Sequence, residues 1–197
     1  LYPGFKTAEV ELNDGGVWVV SKSKNAVGRL NYPSRVLDGA VTPAGTTFDV
    51  LQDAGTVFVD DSAGSTLNQV SAAQMRLGGD KRLPGSAEVS FGSKVVAVTD
   101  AAKGTVWALS PSTVSGFDEE SSEPVLTGSP GTVSAVGADD RIYSADPTSG
   151  QVTVTAVDAQ GAVTDSSAET WDGLKGAGDL QLAVVGDRPV VLDAGRG

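Results

Sequence analysis

The stretch EVSFGSKVVAVTDAAKGTVWAL, Glu88 to Leu109, decides how this chain is read. It opens on a short strand-like run that ends at Phe91, followed by the turn Gly92-Ser93-Lys94. Val95-Val96-Ala97-Val98 comes next, and a short apolar run bounded by turn residues and rich in β-branched side chains reads as a buried strand. Asp100 and Gly104 then bracket a second turn, after which Thr105 to Leu109 makes a third strand. In such a turn the Asp carboxylate accepts backbone N–H groups just ahead of it. Gly tolerates the positive φ that closes a short hairpin. A β-branched residue at Gly104 is expected to strain that turn.

The same grammar recurs on either side. It is found in VELNDGGVWVVSKSKNAVGRL from Val10, FDVLQDAGTVFVDDSAGSTLNQV from Phe48, VSAVGADDRIYSADPTSGQVTV from Val133 and LQLAVVGDRPVVLDAGRG from Leu180. The Asp-x-x-x-Gly positions read as Asp60 and Gly64, Asp100 and Gly104, Asp146 and Gly150, and Asp193 and Gly197, with Ser21 and Asn25 in the first copy. Successive first positions lie 39, 40, 46 and 47 residues apart. That period matches a four-stranded propeller blade. The expected fold is therefore all-β: a partial β-propeller of about four and a half antiparallel four-stranded blades. The blades fall at approximately 8–42, 46–83, 86–128, 131–169 and 179–197, the last incomplete. The turn residues are read as structural. A calcium loop needs several oxygens at alternating positions, and this motif supplies one, so no metal is expected.

The second strand of each copy, such as Val17 to Val20, Val57 to Val59 and Val190 to Leu192, is apolar throughout rather than alternating. That predicts a strand covered on both faces. Third strands alternate more, as in Thr66 to Val70 and Val152 to Ala156. Outer strands are expected at Arg35 to Ala40, Gln74 to Arg82, Pro124 to Thr127 and Ala162 to Ala168. Ser71 to Met75 alone suggests a turn of helix. Gly116 to Pro124 (GFDEESSEP) and Thr170 to Asp179 (TWDGLKGAGD) read as surface loops with few apolar anchors. Ring closure admits three readings: a piece of a longer propeller, completion of the fifth blade by Leu1 to Thr7, or a homodimer through open blade edges, which invite pairing.

Composition narrows the chemistry. Fourteen basic residues against twenty-five acidic ones give a net charge of −11. Binding nucleic acid requires a basic face to neutralise phosphates, so it is disfavoured, as is direct contact with anionic membranes. With no cysteine and no histidine, thiolate chemistry, cysteine-type zinc sites and Ser-His-Asp catalysis are excluded. No apolar run approaches the roughly 20 residues of a membrane span. Leu1 to Thr7 has neither the basic nor the apolar region of a signal peptide, so if the protein is exported its targeting segment is expected outside this chain. No cofactor is expected.

Asp14 to Val19 (DGGVWV) and Gly28 to Asn31 (GRLN), within NDGGVWVVSKSKNAVGRLN at Asn13 to Asn31, resemble the opening of the propeller ectodomain in large actinobacterial cell-surface proteins of the fibronectin type III or Ig-like class. In that family a membrane helix precedes the matching stretch, and fibronectin-type modules follow the propeller. The resemblance is specific over about 20 residues and diffuse elsewhere. It implies an extracellular location, with the chain tethered by a membrane helix that lies outside it.

The leading functional expectation is a non-enzymatic extracellular binding or scaffolding module whose partner is a protein or a cell-envelope component. The candidate binding residues are those of the acidic loop, Asp118, Glu119, Glu120 and Glu123. No catalytic residue is assigned. The alternative is a propeller-type carbohydrate-active hydrolase, whose retaining form needs two carboxyl groups about 5 Å apart; no pair is singled out by the sequence. Thr99 to Trp107 differs from the Ser-x-Asp-x-Gly-x-Thr-Trp box of sialidases, with two extra residues between Asp and Gly and one between Thr and Trp. Quinone-dependent propeller dehydrogenases repeat a Trp-docking motif, whereas Trp18, Trp107 and Trp171 occupy three different places in the repeat. The three are read as packing residues, with Trp171 expected near the surface.

Overall fold

The computed structural model describes residues 16–195 apart from 54, 80 and 86. Five antiparallel sheets follow one another along the described chain. Sheet I holds β1 (Gly16–Ser21), β2 (Ala26–Asn31) and β3 (Val36–Val41). Sheet II holds β4 (Phe48–Asp53), β5 (Thr56–Asp61) and β6 (Thr66–Ser71), with two short pieces, β7 (Arg76–Leu77) and β8 (Lys81–Arg82), sharing the outer edge of β6. Sheet III comprises β9 (Ala87–Phe91), β10 (Val96–Asp100), β11 (Thr105–Leu109) and β12 (Leu126–Thr127). Sheet IV comprises β13 (Val133–Val136), β14 (Ile142–Ala145), β15 (Gln151–Val157) and β16 (Val163–Thr170). Sheet V is the hairpin β17 (Leu180–Val185) and β18 (Arg188–Asp193). These are consecutive blades of a partial β-propeller.

Four hydrophobic clusters hold the sheets, one at each junction. Trp18, Val27 and Val41 of sheet I meet Val57, Val59 and Val70 of sheet II. On the opposite face of sheet II, Phe58 and Leu67 meet Val96, Val98 and Trp107 of sheet III. Ala97, Val106 and Ala108 then pack against Ile142 of sheet IV. Ala145 and Val152 pack against Leu180, Leu182 and Val191 of sheet V. Successive side chains of a strand point to opposite faces. Val57 and Val59 therefore look one way and Phe58 the other, which is why the middle of β5, Val57 to Val59, is apolar without alternation. Phe58 is fully buried and meets Phe91 edge to face, ring centroids 5.5 Å apart. Burial of a side chain of that size contributes roughly 1.5–3 kcal/mol.

Polar stitches add register to this packing. Gln52 accepts from the Trp18 N–H at 2.9 Å and donates to the Gly16 carbonyl at 2.9 Å, joining sheets I and II. Ser90 Oγ accepts from the Val136 N–H at 2.8 Å, joining sheets III and IV. Asp140, in the β13–β14 turn, accepts from Ser93 Oγ at 2.6 Å and from the Lys94 N–H at 2.9 Å in the β9–β10 turn.

Some local expectations change. Residues 72–75 form no helix, because Met75 adopts φ +48 and turns the chain back into β7. Both long loops carry an apolar anchor: Phe117 and Leu174 are buried. Trp171 is half-buried and packs against the Val152–Leu180 cluster rather than lying at the surface. Leu1 to Thr7 and the first strand of the first copy lie outside the described residues.

Candidate functional site

The repeat turns engage their carboxylates with backbone N–H groups of the same turn. Asp100 accepts from the Ala102 N–H at 3.1 Å, and Gly104 closes the hairpin at φ +70. A Cβ on Gly104 would lie 2.2 Å from the Ser129 carbonyl oxygen, so the position excludes side chains by space as well as by φ. Asp146 accepts from the Thr148 N–H at 2.8 Å and from the Ser129 hydroxyl, and Gly150 sits at φ +72. Burial pushes the Asp146 carboxyl up, but the hydrogen bonds from Ser129, Thr148 and Ser149 outweigh it and leave the group below its usual value. Asn25 takes the closing position of the first copy at φ +48. In the last copy Asp193 accepts from the Gly195 N–H at 3.1 Å, while Gly197 lies outside the described residues.

The second copy is one residue out of step with its sequence reading. The turn is built by Asp61 and Ser65, not by Asp60 and Gly64. Asp61 accepts from the Gly64 N–H at 3.2 Å, and Ser65, at φ +49, closes the hairpin. Asp60 instead pairs across the sheet, opposite Asp49 on one side and Leu67 on the other. The extra strand residue moves the turn, and the hairpin accepts Ser in the left-handed region. Asp60 is thereby crowded: burial first, then the charges of Asp49 and Asp61, push its carboxyl up.

The acidic loop connects β11 to β12 and folds back along sheet III. Phe117 is buried against Trp107, ring centroids 5.6 Å apart at 73°, and Trp107 Nε1 donates to the Ser122 carbonyl at 3.1 Å. Asp118 accepts from the Ser121 N–H at 3.0 Å, from its hydroxyl at 3.0 Å and from the Glu120 N–H at 3.1 Å. The Ser121 contacts foremost hold its carboxyl below the usual range. Glu119 pairs with Lys103 of the β10–β11 hairpin. Glu120 and Glu123 project into solvent. The four predicted acids thus share one loop but divide into a cap, an ion-pair partner and two exposed charges.

A cleft absent from the sequence reading lies between sheets IV and V. Its volume is about 820 Å³, and its lining includes Val152, Val154, Glu169, Trp171, Asp187 and Pro189. One wall is Tyr143, whose hydroxyl lies 3.1 Å from Asp139 Oδ2 and 3.1 Å from the Asp187 carbonyl oxygen. Burial, then Asp139, pushes the Tyr143 phenol up. Arg141 Nε stands 3.7 Å from the same Asp139 carboxylate. Asp139 is therefore committed to the wall. Asp139 and Asp187 sit in equivalent β-hairpin turns of adjacent copies, GADDR and GDR, and that shared spelling is the signal in the sequence that points here. Among the described residues no group of three or more acidic side chains could hold a metal ion.

No family model matches the chain, and no curated protein matches it. Solved structures do. Virginiamycin B lyase from Staphylococcus aureus aligns at TM-score 0.57 and 14% identity, over 93% of this chain and 61% of the lyase. Hsv2 from Kluyveromyces lactis aligns at TM-score 0.59 and 11% identity, over 85% of this chain and 50% of that protein. BamB from Moraxella catarrhalis aligns at TM-score 0.50 and 13% identity, over 87% and 50% respectively. All three are β-propeller proteins, and at these identities the likeness establishes the fold alone. The chain spans about half to three-fifths of their lengths.

Proposed function

We propose that this chain is a non-enzymatic propeller module that binds a protein or cell-envelope component bearing basic groups. The supporting observation is the acidic loop, fixed by the buried Phe117, the Trp107–Ser122 hydrogen bond and the Asp118 cap. Glu120 and Glu123 are presented on a preordered frame, which spares a partner the entropy of ordering the loop. An extracellular setting, tethered by a membrane helix outside this chain, is part of the same proposal and draws on the resemblance at Asn13 to Asn31.

The test uses two charge-matched variants. Glu120→Gln/Glu123→Gln alters the loop, and Asp165→Asn/Asp179→Asn removes two exposed carboxylates elsewhere. Binding to a decalysine peptide and to purified peptidoglycan is measured at low and high salt. The reading expects binding that the loop variant weakens severalfold more than its control. Equal losses would reduce the interaction to net charge and remove the loop as a site. Turnover of a polysaccharide panel, lost in Glu169→Gln, would replace the binding module with the carbohydrate-active hydrolase.

A further inference from the structure

A second cleft, of about 400 Å³, opens between sheets III and IV, each of which has all four of its strands. Adjacent strands run antiparallel, so the β9–β10 turn, the start of the β11–β12 loop, the β13–β14 turn and the end of β15 emerge together at one end of these sheets. The cleft lies there, while the β10–β11 hairpin, whose Lys103 pairs with Glu119, lies at the other end. Its size falls within the roughly 300–1,000 Å³ of small-ligand sites. Its walls are fixed. Asp140 accepts from Ser93 Oγ and from the Lys94 N–H, which ties one turn to the other. Asp158 Oδ1 accepts from the Gln160 and Ala162 N–H groups, each at 2.9 Å. A Cβ on Gly161 would lie 2.4 Å from the Ala108 carbonyl oxygen, so the β15–β16 turn sits hard against β11. A ligand entering between these turns meets groups that are already ordered.

The lining selects a ligand class. Asp140 spends both carboxylate oxygens on the wall. Lys94 is exposed, and among the described residues its ammonium makes no ion pair. Ser112 is exposed with its hydroxyl 2.9 Å from Ser110 Oγ, and a hydroxyl has further donor and acceptor capacity. The turn at Asp158 uses only Oδ1. A cationic donor, a hydroxyl and a carboxylate acceptor therefore surround the aliphatic side chains of Val95, Pro111 and Val157. An anion would face two carboxylates in a chain whose net charge is −11, and a cation would face Lys94. A neutral ring carrying several hydroxyls suits all three polar groups and lays its C–H face on the aliphatic ones. We propose that this cleft binds a neutral saccharide of one or two pyranose rings. The site is independent of the acidic loop, which selects basic groups at the opposite end of sheet III.

The probes are maltose, cellobiose, lactose and N,N′-diacetylchitobiose, with glycylglycine as a zwitterion and acetate as an anion. Each is titrated against the full chain while NMR follows the backbone amides of Lys94, Ser112 and Ala159. Saturable shifts of these amides are expected with at least one disaccharide. Salt should leave that affinity unchanged, because the ligand carries no charge to screen. Lys94→Met removes a charged hydrogen-bond donor and is expected to weaken binding about tenfold. Ala159→Trp, at an exposed position of the cleft wall, is expected to abolish binding without moving the unfolding midpoint. Glu120→Gln/Glu123→Gln is expected to leave it intact, which separates this site from the acidic loop. The proposal is overturned if no disaccharide shifts these amides at millimolar concentration, or if glycylglycine or acetate shifts them at lower concentration than every sugar. It is also overturned if Lys94→Met and Ala159→Trp, both folded, bind as the parent does.

Discussion

Strands β10 and β18 occupy the same place in the third and fifth copies of the repeat and are both rich in valine, yet they live in different surroundings. Every residue of β10 is buried, with Val96 and Val98 at 0% exposure. Along β18 burial alternates, and Val190 and Leu192 are 53% and 57% exposed. At the other end of the described chain, β1 repeats the pattern: Trp18 is buried while Val17 and Val19, at 44% and 37%, are open. A continuous apolar run therefore reports that a strand is designed for two neighbours. Whether both neighbours are present is a property of the assembly, which no single strand encodes.

The comparison is broken most forcefully at Phe58. It fills the junction between sheets II and III, and truncation to Ala removes its packing with Phe91 and leaves a cavity. Phe58→Ala is expected to cost about 3–5 kcal/mol, whereas Leu192→Ala on the open face should cost less than about 1 kcal/mol. Urea unfolding of both variants measures the contrast. Comparable losses would mean that the face carrying Leu192 is covered in solution.

The repeat was legible because hairpin chemistry and hydrophobic runs are local. The second strand at Val57 to Val59 falls where its spelling places it, the one expected from Val95 begins at Val96, and the alternation of covered faces follows. The error at Asp60 is also local. Two adjacent Asp residues and a Gly-Ser pair allow two turn registers, and the sequence preference for Gly at positive φ favours the wrong one. The cleft was hidden for a different reason: its lining comes from residues 139–143, 152–154, 167–171 and 187–189, brought together only by the packing of sheet V on sheet IV. The acidic loop was visible as composition, but the pairing of Glu119 with Lys103 depends on how the loop folds back.

The two turn registers give a smaller effect of opposite signs. Gly104→Val places a β-branched side chain at φ +70 against the Ser129 carbonyl and is expected to cost about 1–3 kcal/mol. Ser65→Gly relieves a non-glycine residue at φ +49 and should stabilise by up to about 1 kcal/mol. Melting temperatures of the two variants, taken side by side, decide whether both positions are the same turn. A loss at Ser65→Gly would separate them.

The smallest effect, and the most diagnostic, is in pH. Asp146 is depressed in the folded state because the hydrogen bonds from Ser129, Thr148 and Ser149 outweigh its burial. The stability it contributes is complete above the unfolded carboxyl value, about 3.9, and is lost as pH falls through the lower folded value. Asp60 runs the other way. Burial, then Asp49 and Asp61, raise it, so the folded state binds its proton more readily than the unfolded one. Stability therefore declines as pH rises from the unfolded value through the folded one, and the full cost is present at neutral pH. Asp146→Asn should lose stability at neutral pH, and Asp60→Asn should gain it. Both differences should shrink on acidification, that of Asp60→Asn beginning at the higher pH. Urea midpoints from about pH 3 to about pH 7 read both slopes. Parallel slopes would show that the two carboxylates are held alike, and that Asp60, not Asp61, serves the turn after all.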